Sequence, residues 1–132
     1  SQYWSKNPHV ANYSAYYGIL LDMVGAENAT FHLEGVSMKY APKVMAKVWN
    51  EAHLAGFGSY FIKKEQAPIT DDHYYVNKLT NIPMIDIIDY KDGFTSSWHT
   101  HKDNIDVISK ETLYAVGQTL LEVIYNEPVP VQ

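Results

Sequence analysis

The 132-residue chain is 46% hydrophobic and 19% charged, which suits one domain with its own core and excludes a disordered segment. All ten basic residues are lysine against 15 acids, a net charge of −5, so the chain lacks the basic stripe of a nucleic-acid binder and any guanidinium fork for a phosphate or carboxylate. The absence of cysteine excludes disulfides and thiolate metal sites, so any metal must be held by histidine and carboxylate, which suits zinc and related ions.

In chain order, the opening Ser1-Gln2-Tyr3-Trp4 lacks an initiator Met, and we expect a processed or trimmed piece of a longer protein. No signal peptide and no apolar run long enough for a membrane span is read. Gly18 to Val24, GILLDMV, predicts a buried strand ended by Gly25, with Asp22 inside the apolar run. Gly25 to Gly35 reads as a loop. Pro42 fits the first turn of a helix, Val44, Met45, Val48, Trp49, Ala52 and Ala55 follow at helical spacing, and Gly56 ends it. Ser59 to Ile62 is a short strand candidate, and Asp72 to Leu79 a helical turn. Pro83 to Tyr90, PMIDIIDY, reads as a second buried strand, followed by a long loop from Lys91 to Ile108. Ser109 is a good N-cap with Glu111 in the first turn, and Leu113, Val116, Leu120, Leu121 and Ile124 mark one helix face. Pro128 and Pro130 close the chain in an extended tail. This order implies an α/β layer fold, and the continuous apolar strands imply a sheet covered on both faces. Three strands make a thin sheet, which suggests that part of the domain is missing.

Four acids and one loop could carry chemistry. Asp22 lies at the carboxyl end of its strand, where ligands bind in open α/β sheets; the alternative is an acid that caps the amides of the next loop. Asp71 and Asp72 adjoin His73. Their mutual repulsion could raise one pKa and make a proton carrier, but from these residues alone an exposed helix start, where Asp favours the N-cap, is the preferred reading. Asp86 interrupts PMIDII and either faces a polar pocket or ends the buried part of the strand, the second explanation fitting Asp89 more readily. In Trp98-His99-Thr100-His101-Lys102-Asp103-Asn104, Trp98 could floor a pocket or pack in the core. His99 has no local metal motif, and His101 and Asp103 could orient it or be solvated. His9, His32 and His53 lack acidic neighbours and are set aside.

Four ordered motifs carry a resemblance: LLDMVGA at Leu20 to Ala26, ITDDH at Ile69 to His73, IPMIDII at Ile82 to Ile88 and WHTHKDN at Trp98 to Asn104. Together, over about Tyr17 to Glu122, the chain resembles the zinc aminopeptidases and glutaminyl-peptide cyclotransferases, most of all the bacterial secreted members of the glutaminyl cyclase branch. The resemblance implies the C-terminal portion of a mixed-sheet, three-layer zinc-exopeptidase-like fold, with residues 1–132 as the C-terminal part of a single catalytic domain and the N-terminal metal-binding half absent. It implies that His99 is a zinc ligand and that Trp98 walls the substrate pocket. Asp22 would bind a second zinc in a two-metal aminopeptidase, or join Asp71 in the proton network of a single-zinc cyclase. Asp86 sits where animal cyclases carry a histidine. The other zinc ligands and the general acid/base glutamate of the family belong upstream; Ser1 to Ala15 holds no acid.

The resemblance implies a parent enzyme that converts an N-terminal Gln to pyroglutamate with release of ammonia. The alternatives are an aminopeptidase cutting N-terminal peptide bonds and a noncatalytic binding module. Zinc is the implied cofactor, and a peptide with N-terminal Gln or another N-terminal residue the implied partner. This chain alone is expected to be inactive and to associate with itself or with its missing half. A periplasmic or extracellular location is implied by the resemblance alone.

Overall fold

In the computed structural model, residues 1–90, 93, 94 and 97–128 are described. Part of the expected Lys91 to Ile108 loop, and Pro130 of the expected tail, lie outside them. The elements are α1 (Gln2–Lys6), β1 (Gly18–Asp22), β2 (Phe31–Leu33), α2 (Gly35–Tyr40), α3 (Pro42–Leu54), β3 (Phe61–Glu65), α4 (Asp72–Leu79), β4 (Met84–Ile88) and α5 (Lys110–Tyr125), with a 3-10 turn at Ile105–Val107.

Both expected apolar runs are strands. β1 and β4 pair in parallel, from Gly18 opposite Met84 to Asp22 opposite Ile88. β1 stops two residues early because Met23 takes a left-handed φ of 53°, a conformation that breaks the ladder. The expected loop from Gly25 to Gly35 instead contains β2, which pairs in parallel with β3, and β3 starts two residues later than expected. The chain is thus α/β with helices against parallel strand pairs. Among the described residues, antiparallel pairing is limited to a bridge between Ala26 and Ile108.

The core forms where these pieces meet. Pro42 opens α3, and its stripe of Val44, Met45, Val48, Trp49 and Ala52 is buried. Gly56, at a φ of 89°, turns the chain away from the helix as expected. Trp49 meets Phe61 edge-on at 5.2 Å, Phe61 meets Phe31 at 5.2 Å, and the indole N–H donates to the Ile62 carbonyl at 3.1 Å. Burial of each such side chain stabilises the fold by roughly 1.5–3 kcal/mol. The aromatic trio therefore fastens α3 to both strands of the β2–β3 pair.

α5 begins as expected, with Ser109 Oγ accepting from Thr112 N–H at 3.2 Å. Its buried face differs from the expected apolar one. Thr112, Ala115, Val116, Thr119 and Val123 face inward, while Leu113, Leu121 and Ile124 are 44%, 48% and 61% exposed. Small residues let α5 lie close on α3, and the threonine hydroxyls are satisfied locally, Thr119 on the Ala115 carbonyl at 2.8 Å and Thr112 on that of Ala26 at 2.9 Å. No helix among the described residues is long and apolar enough to cross a membrane.

Candidate active site

Parallel pairing brings the carboxyl ends of β1 and β4 together, and three of the expected site acids gather around them. Asp22 is the last residue of β1, and Asp71 is the N-cap of α4, its carboxylate accepting from Asp72 N–H at 2.6 Å. The Asp22 and Asp71 carboxyls stand within hydrogen-bond reach of each other. Burial, the charge of Asp71 and that contact raise the Asp22 pKa above the usual carboxylate range, against the pull of the Met23 N–H. Asp71 thus takes the helix-cap reading of its position and also stands beside Asp22, whereas Asp72 is exposed.

Asp86 stands one layer deeper. It is fully buried at the middle of β4, opposite Leu20, and neither carboxyl oxygen has a hydrogen-bond partner among the described residues. Its Oδ2 faces His73 Nδ1 at 3.5 Å. Burial, followed by the charges of Asp71, Asp22, Glu34 and Asp72, pushes its pKa up to about 8, so it is a neutral acid at neutral pH. It does not end the buried part of the strand, since Ile87 and Ile88 beyond it are buried too, and it faces the buried His73.

One residue of this cluster escaped the sequence reading, and His73 entered it only as a neighbour of Asp71 and Asp72. Glu34, 1% exposed, is the N-cap of α2. Its Oε1 accepts from the N–H groups of Val36 and Ile69, each at 2.7 Å. Its Oε2 accepts from Ser37 N–H and Ser37 Oγ–H at 2.7 Å and from His73 Nε2–H at 3.0 Å. Burial alone would raise its pKa, but His73 and the three amides outweigh it and hold Glu34 down at about 2. Each charge-assisted bond of this kind contributes about 1.5–3 kcal/mol. Glu34 was hidden because Glu is an unusual N-cap and its partners come from distant segments. The one local signal is the Glu34-Gly35-Val36-Ser37 run, an acid set before a residue that can donate back to it.

The WHTHKDN loop is organised by rings. Phe94 stacks on Trp98 at 4.1 Å, and Trp98 on His99 at 4.0 Å. Both Trp98 and His99 are exposed, and His99 takes a left-handed φ of 56°, a strained backbone of the kind that clusters at functional sites. His101 and Asp103 are exposed, and Asn104 Oδ1 caps the following 3-10 turn through Asp106 N–H at 2.8 Å. Among the described residues no three or more His, Asp or Glu side chains are grouped so as to hold a metal ion. A catalytic zinc normally takes three protein ligands, so the residues present do not by themselves fit one. The histidines set aside prove structural where partners are seen: His9 accepts from the Trp4 indole N–H, and His53 Nε2 lies 2.7 Å from the Phe61 carbonyl oxygen. A separate apolar groove of about 920 Å³ opens between Tyr17, α3 at Lys43 to Lys47, and Ile124 of α5, away from these acids.

The chain matches the model of peptidase family M28 over residues 1–124. It superposes on a glutaminyl cyclase of Bacteroides thetaiotaomicron, solved with bound N-acetylhistamine, with a TM-score of 0.93 and 55% identity over 96% of this chain and 44% of that one. A Zn-dependent exopeptidase of Parabacteroides distasonis gives 0.92 and 56% identity over 96% and 44%, respectively. A leucine aminopeptidase precursor of Bacteroides thetaiotaomicron gives 0.91 and 55% over 96% and 43%. No curated protein sequence matches. The chain belongs to peptidase family M28, has the fold of part of these bacterial glutaminyl cyclases and exopeptidases, and spans less than half of their length.

Proposed function

We propose that residues 1–132 are the C-terminal part of a single catalytic domain, whose N-terminal metal-binding half lies outside this chain, and that the whole enzyme is a zinc-dependent glutaminyl-peptide cyclotransferase. What supports the reading most is the meeting of Asp22 and Asp71 at the strand ends, where burial and the Asp71 charge raise the Asp22 pKa and favour a carboxyl pair that holds one proton between them. Cyclisation of an N-terminal Gln needs such a group. The α-amine forms a bond to the side-chain amide carbon, the C–N bond to the amide nitrogen breaks, and ammonia leaves. The attacking nitrogen must lose a proton and the leaving nitrogen must gain one. A carboxyl pair that holds one proton between two oxygens can relay these protons beside the general acid/base glutamate without a second charge developing.

In this reading Trp98, exposed beside the loop, lies against the substrate, and His99 contributes one ligand to a zinc whose other ligands come from outside the chain. Asp86, sealed behind His73, acts from below the pair. The likeness to the Zn-dependent exopeptidase and to the aminopeptidase precursor favours a second reading, hydrolysis of N-terminal peptide bonds, with Asp22 as a ligand of a second metal. We place the parent enzyme in the periplasm or outside the cell, in keeping with the precursor named among its relatives.

The test uses the full-length protein with a Gln-peptide and with an aminoacyl-peptide. Asp22→Asn and Asp71→Asn should each lower cyclisation about 10²–10⁴-fold. Unchanged turnover in both variants overturns the proton-pair reading, and cleavage without cyclisation selects the aminopeptidase. The isolated chain should bind no stoichiometric zinc and turn over neither peptide; one-to-one zinc binding with activity refutes its status as an incomplete site.

A further inference from the structure

Asp71 sits on a turn that one buried carboxylate grips from both sides. Two residues before it, the Ile69 N–H donates to Glu34 Oε1 at 2.7 Å. Two residues after it, His73 Nε2 donates to Glu34 Oε2 at 3.0 Å. A carboxylate only accepts, so the imidazole proton facing it is on Nε2, and Nδ1 is left toward Asp86. The backbone around the grip is also in contact: a Cβ on Gly35 would stand 2.9 Å from Pro68 N, so the strand of chain entering the Asp71 turn lies directly on the Glu34–Gly35 peptide. Glu34 is itself immobile, fixed by the amides of Val36 and Ser37 at the start of α2. Glu34, Val36, Ser37 and His73 are buried and Ile69 is half-buried, so water is a poor substitute for a lost bond to the carboxylate.

From this geometry we infer that Glu34 and His73 are positioning residues for the proton-carrying acid Asp71, the Nε2–Glu34 bond being the element that sets where its carboxyl meets Asp22. The inference rests on the reading of Asp22 and Asp71 as the proton pair. It goes beyond that reading by assigning function to two residues that touch neither substrate nor metal. The Ile69 and His73 bonds each lie two residues from Asp71, so a small release at either side moves the carboxyl by a distance that matters to proton transfer; a displacement of about 1 Å can lower a rate about 10²-fold.

The experiment compares two near-isosteric replacements in the full-length protein. His73→Gln places an amide N–H where Nε2 was and keeps the bond to Glu34. His73→Asn places one near Nδ1 and loses it. The Asn variant should lose about 10–100-fold in kcat with KM nearly unchanged, and the Gln variant should retain kcat within about threefold. Amide exchange at Ile69 and Asp72 should accelerate in the Asn variant alone. Equal losses in the two variants, or an Asn variant that folds and keeps its kcat, overturn the inference. If the wild-type enzyme turns over neither peptide, the functional reading fails and exchange decides the grip by itself: selective loss of protection in the Asn variant supports it, and equal protection in both variants overturns it. Should the Asn variant not fold, wild-type exchange at Ile69 decides. Exchange as slow as global unfolding supports the grip, and exchange as fast as that of open-loop amides overturns it.

Discussion

Replacing Asp86 by Asn should make the fold more stable at neutral and alkaline pH, although it removes a titratable acid from the site. In the folded protein the Asp86 pKa stands at about 8 against an ordinary 3.8, mainly through burial and then through the acids around it. The native state therefore holds a proton that the unfolded chain has already released, and stability falls as pH rises through this window. Stability is full below the ordinary value, declines through the interval, and levels off above the raised one. The interval from 3.8 to about 8 spans about four pH units, which at 1.36 kcal/mol each is on the order of 5 kcal/mol. Asn copies the neutral acid in shape, and its amide can donate to His73 Nδ1, which Asp86 Oδ2 faces at 3.5 Å. Urea denaturation of the full-length protein, in steps from about pH 5 to about pH 9, reads the difference as a midpoint shift at constant m. The stability gap in favour of the variant should widen by several kcal/mol from the acid end to the alkaline end, roughly following the linkage slope. Parallel curves refute the reasoning. A variant that is less stable throughout refutes it more strongly, since Asp86 would then be an ionised and paired group.

Glu34 predicts the opposite limb. Its pKa of about 2, below an ordinary 4.5, makes its stabilisation complete above the ordinary value and lost as pH falls through the lowered one; Glu34→Gln should flatten acid denaturation in that range while weakening the fold at neutral pH. Gly35→Ala drives a methyl to 2.9 Å from Pro68 N and should destabilise by about 1–3 kcal/mol, measured as a fall in Tm. Ser109→Ala removes the cap of α5 and should lower stability by about 0.5–2 kcal/mol with no change in zinc content or turnover. His99→Ala in the full-length protein should remove bound zinc, measured by atomic absorption, while leaving Tm of the metal-free protein unchanged; retained stoichiometric zinc would remove His99 from the ligand set.

Where side-chain chemistry is local, the residues announce their structure. Pro42 and Gly56 bracket α3, Ser109 starts α5, and the apolar runs at Gly18 and Pro83 become the parallel pair that carries Asp22 to a strand end. Where the chemistry is distributed, they do not. β2 is three residues long and α2 begins with glycine, too short and too weak in propensity to be read. The inward face of α5 was misassigned because its threonines satisfy their hydroxyls on nearby carbonyls and bury as small apolar groups, while Leu113 and Ile124 remain outside. Glu34 reads as one more surface acid until its donors arrive from three other places, the start of α2, Ile69 and His73. The acids nearest the proposed chemistry were legible because a charge inside an apolar run is conspicuous. Their support was not, because its pattern exists only in three dimensions.

The many-handed hold on Glu34 also constrains the order in which this chain can assemble. Its farthest donor, His73, is 39 residues away along the chain. Until α2, the Ile69 turn and α4 converge, burying the carboxylate would strand a charge, so collapse that outruns convergence is opposed. The last docking of the Asp71 turn should then be a late, cooperative event rather than a gradual tightening, with the Glu34 contacts largely unformed at the folding barrier. The side chain that aligns the finished site thus also acts as a checkpoint on the route to it, admitting only chains in which the three segments have already found one another.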